Sequence, residues 1–229
     1  MYHLNEFEQR ADLDTQLAEK VADILSNSVA IKGKASIAVS GGSTPKGFFT
    51  ALSQKELPWS DITITLADER WVSMESDASN TRLVHENLLQ NNAVNAKFFH
   101  LKQGEKLCEE TLSDLNLAAS SSLLPLDVLI LGMGEDGHTA SLFPCSDEID
   151  ECFSTQAPLL KVIPKTAPHE RISFSFTSLK NSENVFLHIS SENKKTVLNS
   201  ALAGTDIKQM PIRAFLQDPE INTNVYWAE

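Results

Sequence analysis

The chain has 229 residues, 41% of them hydrophobic, which is enough for a full buried core and near the upper size of one domain. Its 19 Lys and Arg against 31 Asp and Glu leave a formal net charge of −12, which repels polyanions and argues against nucleic acid or an anionic membrane as a partner. Met1 to Arg10 carries Glu6, Glu8 and Arg10 where a secretory signal needs an apolar run, no stretch approaches the ~18 apolar residues of a membrane span, and Cys108, Cys145 and Cys152 lack metal-type spacing. The expectation is a cytoplasmic, single-domain protein over residues 1–229 with reduced thiols, in which a few gathered cations would still admit a small anionic substrate.

From Phe7 through Ala11, Leu17, Val21 and Ile24 the apolar residues recur at helical spacing, and Ser26-Asn27 is expected to break the pattern. Ala35 to Val39 reads as a buried strand stopped by Ser40-Gly41-Gly42-Ser43, after which Thr44 is expected to cap a helix with Pro45 at its first position. The alternation continues with a strand at Ile62 to Ala67, a helix from Ser79 to Leu89, a short strand at Lys97 to His100, a polar helix from about Glu105 to Ala119 and a strand at Val128 to Leu131. Leu159 to Ile163, Ile172 to Phe176 and Val185 to Ile189 read as strands with short links, followed by a helix from Glu192 to Leu202 and a strand around Asn224 to Trp227. The fold class is therefore α/β, a mainly parallel and partly mixed sheet with helices on both faces. Ligands of such sheets bind beyond the carboxyl ends of the strands, which here are Ser40-Gly41-Gly42, Asp68-Glu69-Arg70 and Gly132 to His138.

Ser40-Gly41-Gly42-Ser43-Thr44-Pro45 offers unhindered amides and hydroxyls before a helix N-terminus, and reads equally as an anion cradle or as an ordinary tight turn. It is not a Walker loop, because Phe48-Phe49 stands where Lys-Ser/Thr is required. Gly132-Met-Gly134-Glu-Asp136-Gly137-His138 matches G-x-G-x-x-G, but no second strand ending in an acid follows, as a dinucleotide site demands. Its glycines instead present Asp136 and His138, and imidazole is the side chain suited to general-base work near neutral pH. Asp68-Glu69-Arg70 places two carboxylates and a guanidinium at the same rim, as a phosphate ligand or a surface ion pair.

Taken together, Ser40 to Pro45, Asp68-Glu-Arg-Trp-Val72 with Ser79-Asn80, and Gly132-Met-Gly-Glu-Asp-Gly-His-Thr-Ala-Ser-Leu-Phe-Pro144 closely resemble the 6-phosphogluconolactonase family in order and spacing. The resemblance implies a metal-independent cytosolic hydrolase of the oxidative pentose phosphate pathway, without a cofactor, acting on a sugar phosphate lactone, with a Rossmann-like fold related to glucosamine-6-phosphate deaminases. By it His138 is the general base with Asp136 and Asp68 beside it. Ser40, Gly41, Gly42, Ser43, Thr44, Arg70, Arg171 in Pro168-His-Glu-Arg171-Ile-Ser, and Lys194 would bind substrate and phosphate. Ser191 stands where the family's Gly-x-x-Lys element has glycine, which leaves the choice between Lys194 and Lys195 open. Deaminases of this fold carry a Glu in a Phe-Asn-Glu-Pro element shortly after the Asp-Gly-His turn; this chain has Ser141-Leu-Phe143-Pro144, which favours hydrolysis. A deaminase or isomerase, and a non-catalytic sugar phosphate sensor, are the competing readings.

Overall fold

The computed structural model describes residues 1–229. The chain opens with β1 (Tyr2–Phe7), α1 (Arg10–Lys32), β2 (Ala35–Val39), α2 (Lys46–Ser53), β3 (Ile62–Leu66), β4 (Asp68–Arg70), α3 (Asn80–Asn87) and β5 (Lys97–Phe98). It continues through α4 (Glu109–Ser122), β6 (Val128–Leu131), α5 (Ile149–Ser154), β7 (Leu159–Val162), β8 (Arg171–Phe174) and α6 (Phe176–Lys180). It closes with β9 (Asn184–Ser190), α7 (Glu192–Ala203), α8 (Arg213–Gln217) and β10 (Thr223–Ala228).

Seven strands form one parallel sheet in the order β1-β10-β9-β6-β2-β3-β5. Every residue of β2 and β6 is buried, as expected of central strands covered by helices on both faces. After β2 the chain moves outward through β3 to β5; after β6 it moves the opposite way to β9 and β10. The strand order therefore reverses between β2 and β6, and the loops leaving these two neighbours diverge to open a crevice. The antiparallel pairing expected in the last third lies in a separate three-stranded sheet, β4-β8-β7, in which Arg70 stands directly opposite Arg171. Behind both sheets, 56 buried residues form one contiguous apolar cluster.

The sequence reading is corrected at several boundaries. Phe7 does not open a helix. It ends β1, an edge strand whose mostly exposed residues alternate too weakly to read as a strand, and its ring stacks 5.6 Å from Tyr226. Helix α1 also runs past Ser26 and Asn27, because both lie on its solvent face while Leu25 and Ser28 keep the buried stripe going. Gly33, at φ 72°, ends it and returns its N–H to the Val29 carbonyl at 2.8 Å. Pro45 sits at the cap position of α2, which begins at Lys46, and Thr44 provides no side-chain cap. The polar helix starts at Glu109 and not Glu105, and Lys97–Phe98 is only two residues long. Strand β8 ends at Phe174 because the Ser175 hydroxyl caps α6 by accepting the Ser178 N–H.

Candidate active site

Asp68, Arg70, His138 and Arg171 line one cleft of about 190 Å³ with Ser40, Gly41 and Gly42 at the crevice between β2 and β6. Ser43, Thr44 and Lys194 line a second cavity of about 250 Å³, and the two cavities share Ser40, Gly41, Gly42, Gly132 and Met133 as a common wall. These residues thus converge on two adjoining spaces, whereas Asp136 lines neither and touches the first only through His138.

His138 is held by the folding of its own loop. The Gly134 N–H donates to the His138 carbonyl at 2.8 Å, and the Gly137 N–H donates to the Gly134 carbonyl at 3.2 Å. The imidazole Nδ1 lies 2.5 Å from Asp136 Oδ1, leaving Nε2 as the nitrogen free of this pair. Burial works to raise the Asp136 carboxyl, but the contacts with His138 outweigh it and hold the group below the ordinary aspartate value. The ring stacks on Phe143 at 4.0 Å between centres, and the Arg171 guanidinium lies 5.0 Å from the centre of the same Phe143 ring. The side chain is 28% exposed, so His138 is neither packed away nor free in solvent. Gly134 makes this arrangement feasible: a Cβ there would lie 2.1 Å from His138 Nδ1 and 2.7 Å from Asp136 Oδ1, far closer than van der Waals contact allows.

The cations come from the small sheet. Arg70 and Arg171 face each other across the antiparallel ladder, where like charges are unfavourable unless an anion joins them. Burial pushes the Arg171 guanidinium below its ordinary value; Asp68 opposes the shift and Arg70 adds to it. Arg171 Nη1 lies 3.5 Å from Asp68 Oδ2, which also accepts the Ser141 hydroxyl at 2.5 Å. Arg70 donates to the Ala78 carbonyl at 2.7 Å, and the Nε atoms of both arginines are buried without a partner in the chain. Each guanidinium therefore keeps a donor that no group of the chain takes up.

Glu69, expected at the same rim, is turned inward instead. Its carboxylate accepts the amides of Asn80 at 2.9 Å and Thr81 at 2.6 Å, capping the N-terminus of α3. The Ser40 hydroxyl is likewise committed, donating to the Ile130 carbonyl and accepting the Gly132 N–H, both at 3.0 Å, so that it stitches the ends of β2 and β6 together. The amides of Gly41, Gly42 and Ser43 make no backbone hydrogen bond, and Gly42 holds φ 95°, a conformation that keeps this turn open. Sequence reasoning missed the roles of Ser141 and Phe143, although both lie in the Gly132 to Pro144 motif. Asn80 was also overlooked as a wall of the cleft, where its amide donates to the Asp68 carbonyl at 3.1 Å.

The two lysines differ in their neighbours. Lys195 pairs with Glu6 at 2.6 Å and lies over Trp227, whereas Lys194 lines the second cavity and donates to the Met133 carbonyl at 2.7 Å. Ser191, which opens this element, adopts φ 94° and ψ 152°, a region that only glycine occupies without strain. It is held there by its N–H to the Ala228 carbonyl and by its carbonyl, which accepts Trp227 Nε1. Ser191→Gly should raise stability by about 1 kcal/mol, since strain of this kind costs ~1–3 kcal/mol and Gly for Ser at a helix cap loses only a few tenths. Denaturant unfolding checks the sign; a destabilised variant refutes the strain.

Three comparisons bear on this geometry. A family model for glucosamine-6-phosphate isomerases/6-phosphogluconolactonase matches residues 8–227. A 6-phosphogluconolactonase of Rhizobium meliloti is 42% identical over 224 residues, 97% of each chain, and one of Neisseria meningitidis serogroup B is 40% identical over 233 residues, covering both in full. The crystal structure of a 6-phosphogluconolactonase from Shewanella baltica superposes with a TM-score of 0.97 at 45% identity, covering 100% of this chain and 98% of that one. A monomeric glucosamine-6-phosphate deaminase shares the fold at 18% identity with a TM-score of 0.77, covering 97% of this chain and 96% of that one.

Proposed function

The chain belongs to the glucosamine-6-phosphate isomerase/6-phosphogluconolactonase family, and on that premise we propose that it hydrolyses 6-phospho-D-glucono-1,5-lactone to 6-phospho-D-gluconate. The observation that carries this reading is one cleft holding the imidazole of His138, braced by Asp136, together with two guanidiniums in opposed register. An imidazole and a pair of cations are the two things that a phosphorylated ester needs at its opposite ends.

In the proposed reaction the phosphate is gripped by Arg70, Arg171, Lys194 and the turn from Ser40 to Thr44, which brings C1 of the lactone to His138. Nε2 of the neutral ring takes a proton from water as the water oxygen bonds to C1. The tetrahedral intermediate collapses by breaking the bond from C1 to the ring oxygen, which receives the proton from the imidazolium. Asp136 offsets the positive charge that the ring carries between these steps. Asp68, fixed by Ser141 and Arg171, is placed to orient Arg171 and to bind a sugar hydroxyl. Ser141 stands in the segment where a deaminase would carry its proton-transferring Glu, so that further proton-transfer group is missing from the loop, and hydrolysis does not require it.

The test is a coupled assay in which lactone is generated from glucose 6-phosphate and its disappearance is followed with and without the protein, after subtraction of spontaneous ring opening. Ammonia release from glucosamine 6-phosphate, without lactone loss, would decide for the deaminase reading. Within this scheme Arg70→Ala should raise KM for the phosphorylated lactone by about tenfold, the value of one charge-assisted contact, with little effect on an unphosphorylated lactone. Equal losses on both substrates would remove Arg70 from the phosphate site.

A further inference from the structure

The second cavity has a floor that the reaction above does not use. His188 on β9 lines this cavity with the turn from Ser40 to Pro45, and behind it Asp14 on α1, which does not itself line the cavity, lies with Oδ1 3.3 Å from His188 Nε2. The side chains are 2% and 9% exposed, yet Asp14 Oδ1 and both ring nitrogens of His188 lack a hydrogen bond. A buried imidazole with two orphaned nitrogens is costly, and its persistence calls for a partner that arrives from outside the chain. The Phe48 ring meets the imidazole edge-on at 5.9 Å, and a Cβ on Gly47 would run into the Asp14 carboxylate, so α2 confines the pair from above. Because the ring lines a cavity of about 250 Å³, the missing partner has room to enter.

The other walls of that cavity define what it accepts. Lys194 contributes an ammonium, and Gly41, Gly42 and Ser43 contribute amides that no backbone carbonyl takes up. Arg10, four residues before Asp14 on the same helix, draws the carbonyls of Ser43 and Thr44 to its guanidinium at 3.0 and 2.7 Å. The turn is thus held with these two acceptors occupied and its donors unspent, which is the polarity that suits a small anion. We propose that His188, backed by Asp14, is a further ligand of the substrate phosphate, gripping it as an imidazolium between the Asp14 carboxylate at Nε2 and a phosphate oxygen at Nδ1. The inference rests on the lactonase reading for the identity of the substrate, but the anion site stands on the cavity itself. It also accounts for the buried carboxylate beside the ring: Asp14 holds the imidazole in place and offsets the charge it carries once the anion is bound.

The experiment titrates protein carrying ¹⁵N-labelled histidine with inorganic phosphate and follows the His188 ring nitrogens. Both should move to imidazolium positions on binding, and His188→Leu should raise KM for the phosphorylated lactone by about tenfold or more while kcat stays within a few-fold. Asp14→Asn keeps the ring but removes its counter-charge, and should abolish the imidazolium signature; it carries the test if His188→Leu does not fold. Absence of a phosphate-induced change at His188 in the wild type overturns the proposal, as does a KM unaltered in a folded His188→Leu. Because the titration needs no substrate turnover, a protein that binds phosphate at His188 but leaves the lactone intact would refute the lactonase reading and keep this one.

Discussion

Replacement of His138 by alanine is expected to lower kcat for lactone hydrolysis by about 10²-fold or more, the usual contribution of a positioned general base. The loss should fall on kcat and not on KM, since the grip on the phosphate comes from other strands. Stability should change little, because the loop is folded by the main-chain bond from Gly134 to the His138 carbonyl, which the substitution keeps. Turnover equal to that of the wild type would strike the imidazole from the mechanism.

A second large effect is expected from a change that removes no functional group. Gly134→Ala places a methyl group 2.1 Å from His138 Nδ1 and 2.7 Å from Asp136 Oδ1. The ring, being the movable partner, must swing away, and displacement of a reacting group by ~1 Å is enough to cost about 10² in rate. Gly134 does not use a left-handed backbone conformation, unlike Gly137 at φ 75°, so alanine fits the main chain and the fold should persist. The measurement is kcat alongside thermal unfolding. A drop in kcat with a preserved melting temperature supports the ring's position as the limiting factor, and full activity would show that the loop tolerates a displaced imidazole.

Much of this was legible beforehand because the informative residues are the ones with unusual chemistry at strand ends. The central strands announce themselves as unbroken apolar runs, and the turns after them as glycine-rich polar segments, so their placement at one crevice follows from the rule for open α/β sheets. Strand β1 was invisible because an edge strand has little to bury, and the end of α1 was misplaced because Ser26-Asn27 breaks a pattern only if it faces inward. Long-range partners were beyond reach for a different reason. That Glu69 turns to cap α3, that Ser40 stitches β2 to β6, and that His188 meets Asp14 depend on residues distant in the chain, and none leaves a local periodicity. The opposed register of Arg70 and Arg171 belongs to the same class: each cation was visible, but their pairing across a ladder was not.

The reversal of strand order between β2 and β6 has a consequence for how such a scaffold diversifies. In the proposed reaction the proton-handling loop leaves the sheet on one strand and the anion-holding groups on others, so each has its own anchorage. A lineage can rewrite the first module, trading a serine for an acid, without loosening the second. The first anchorage can then change its chemistry while the second keeps its grip.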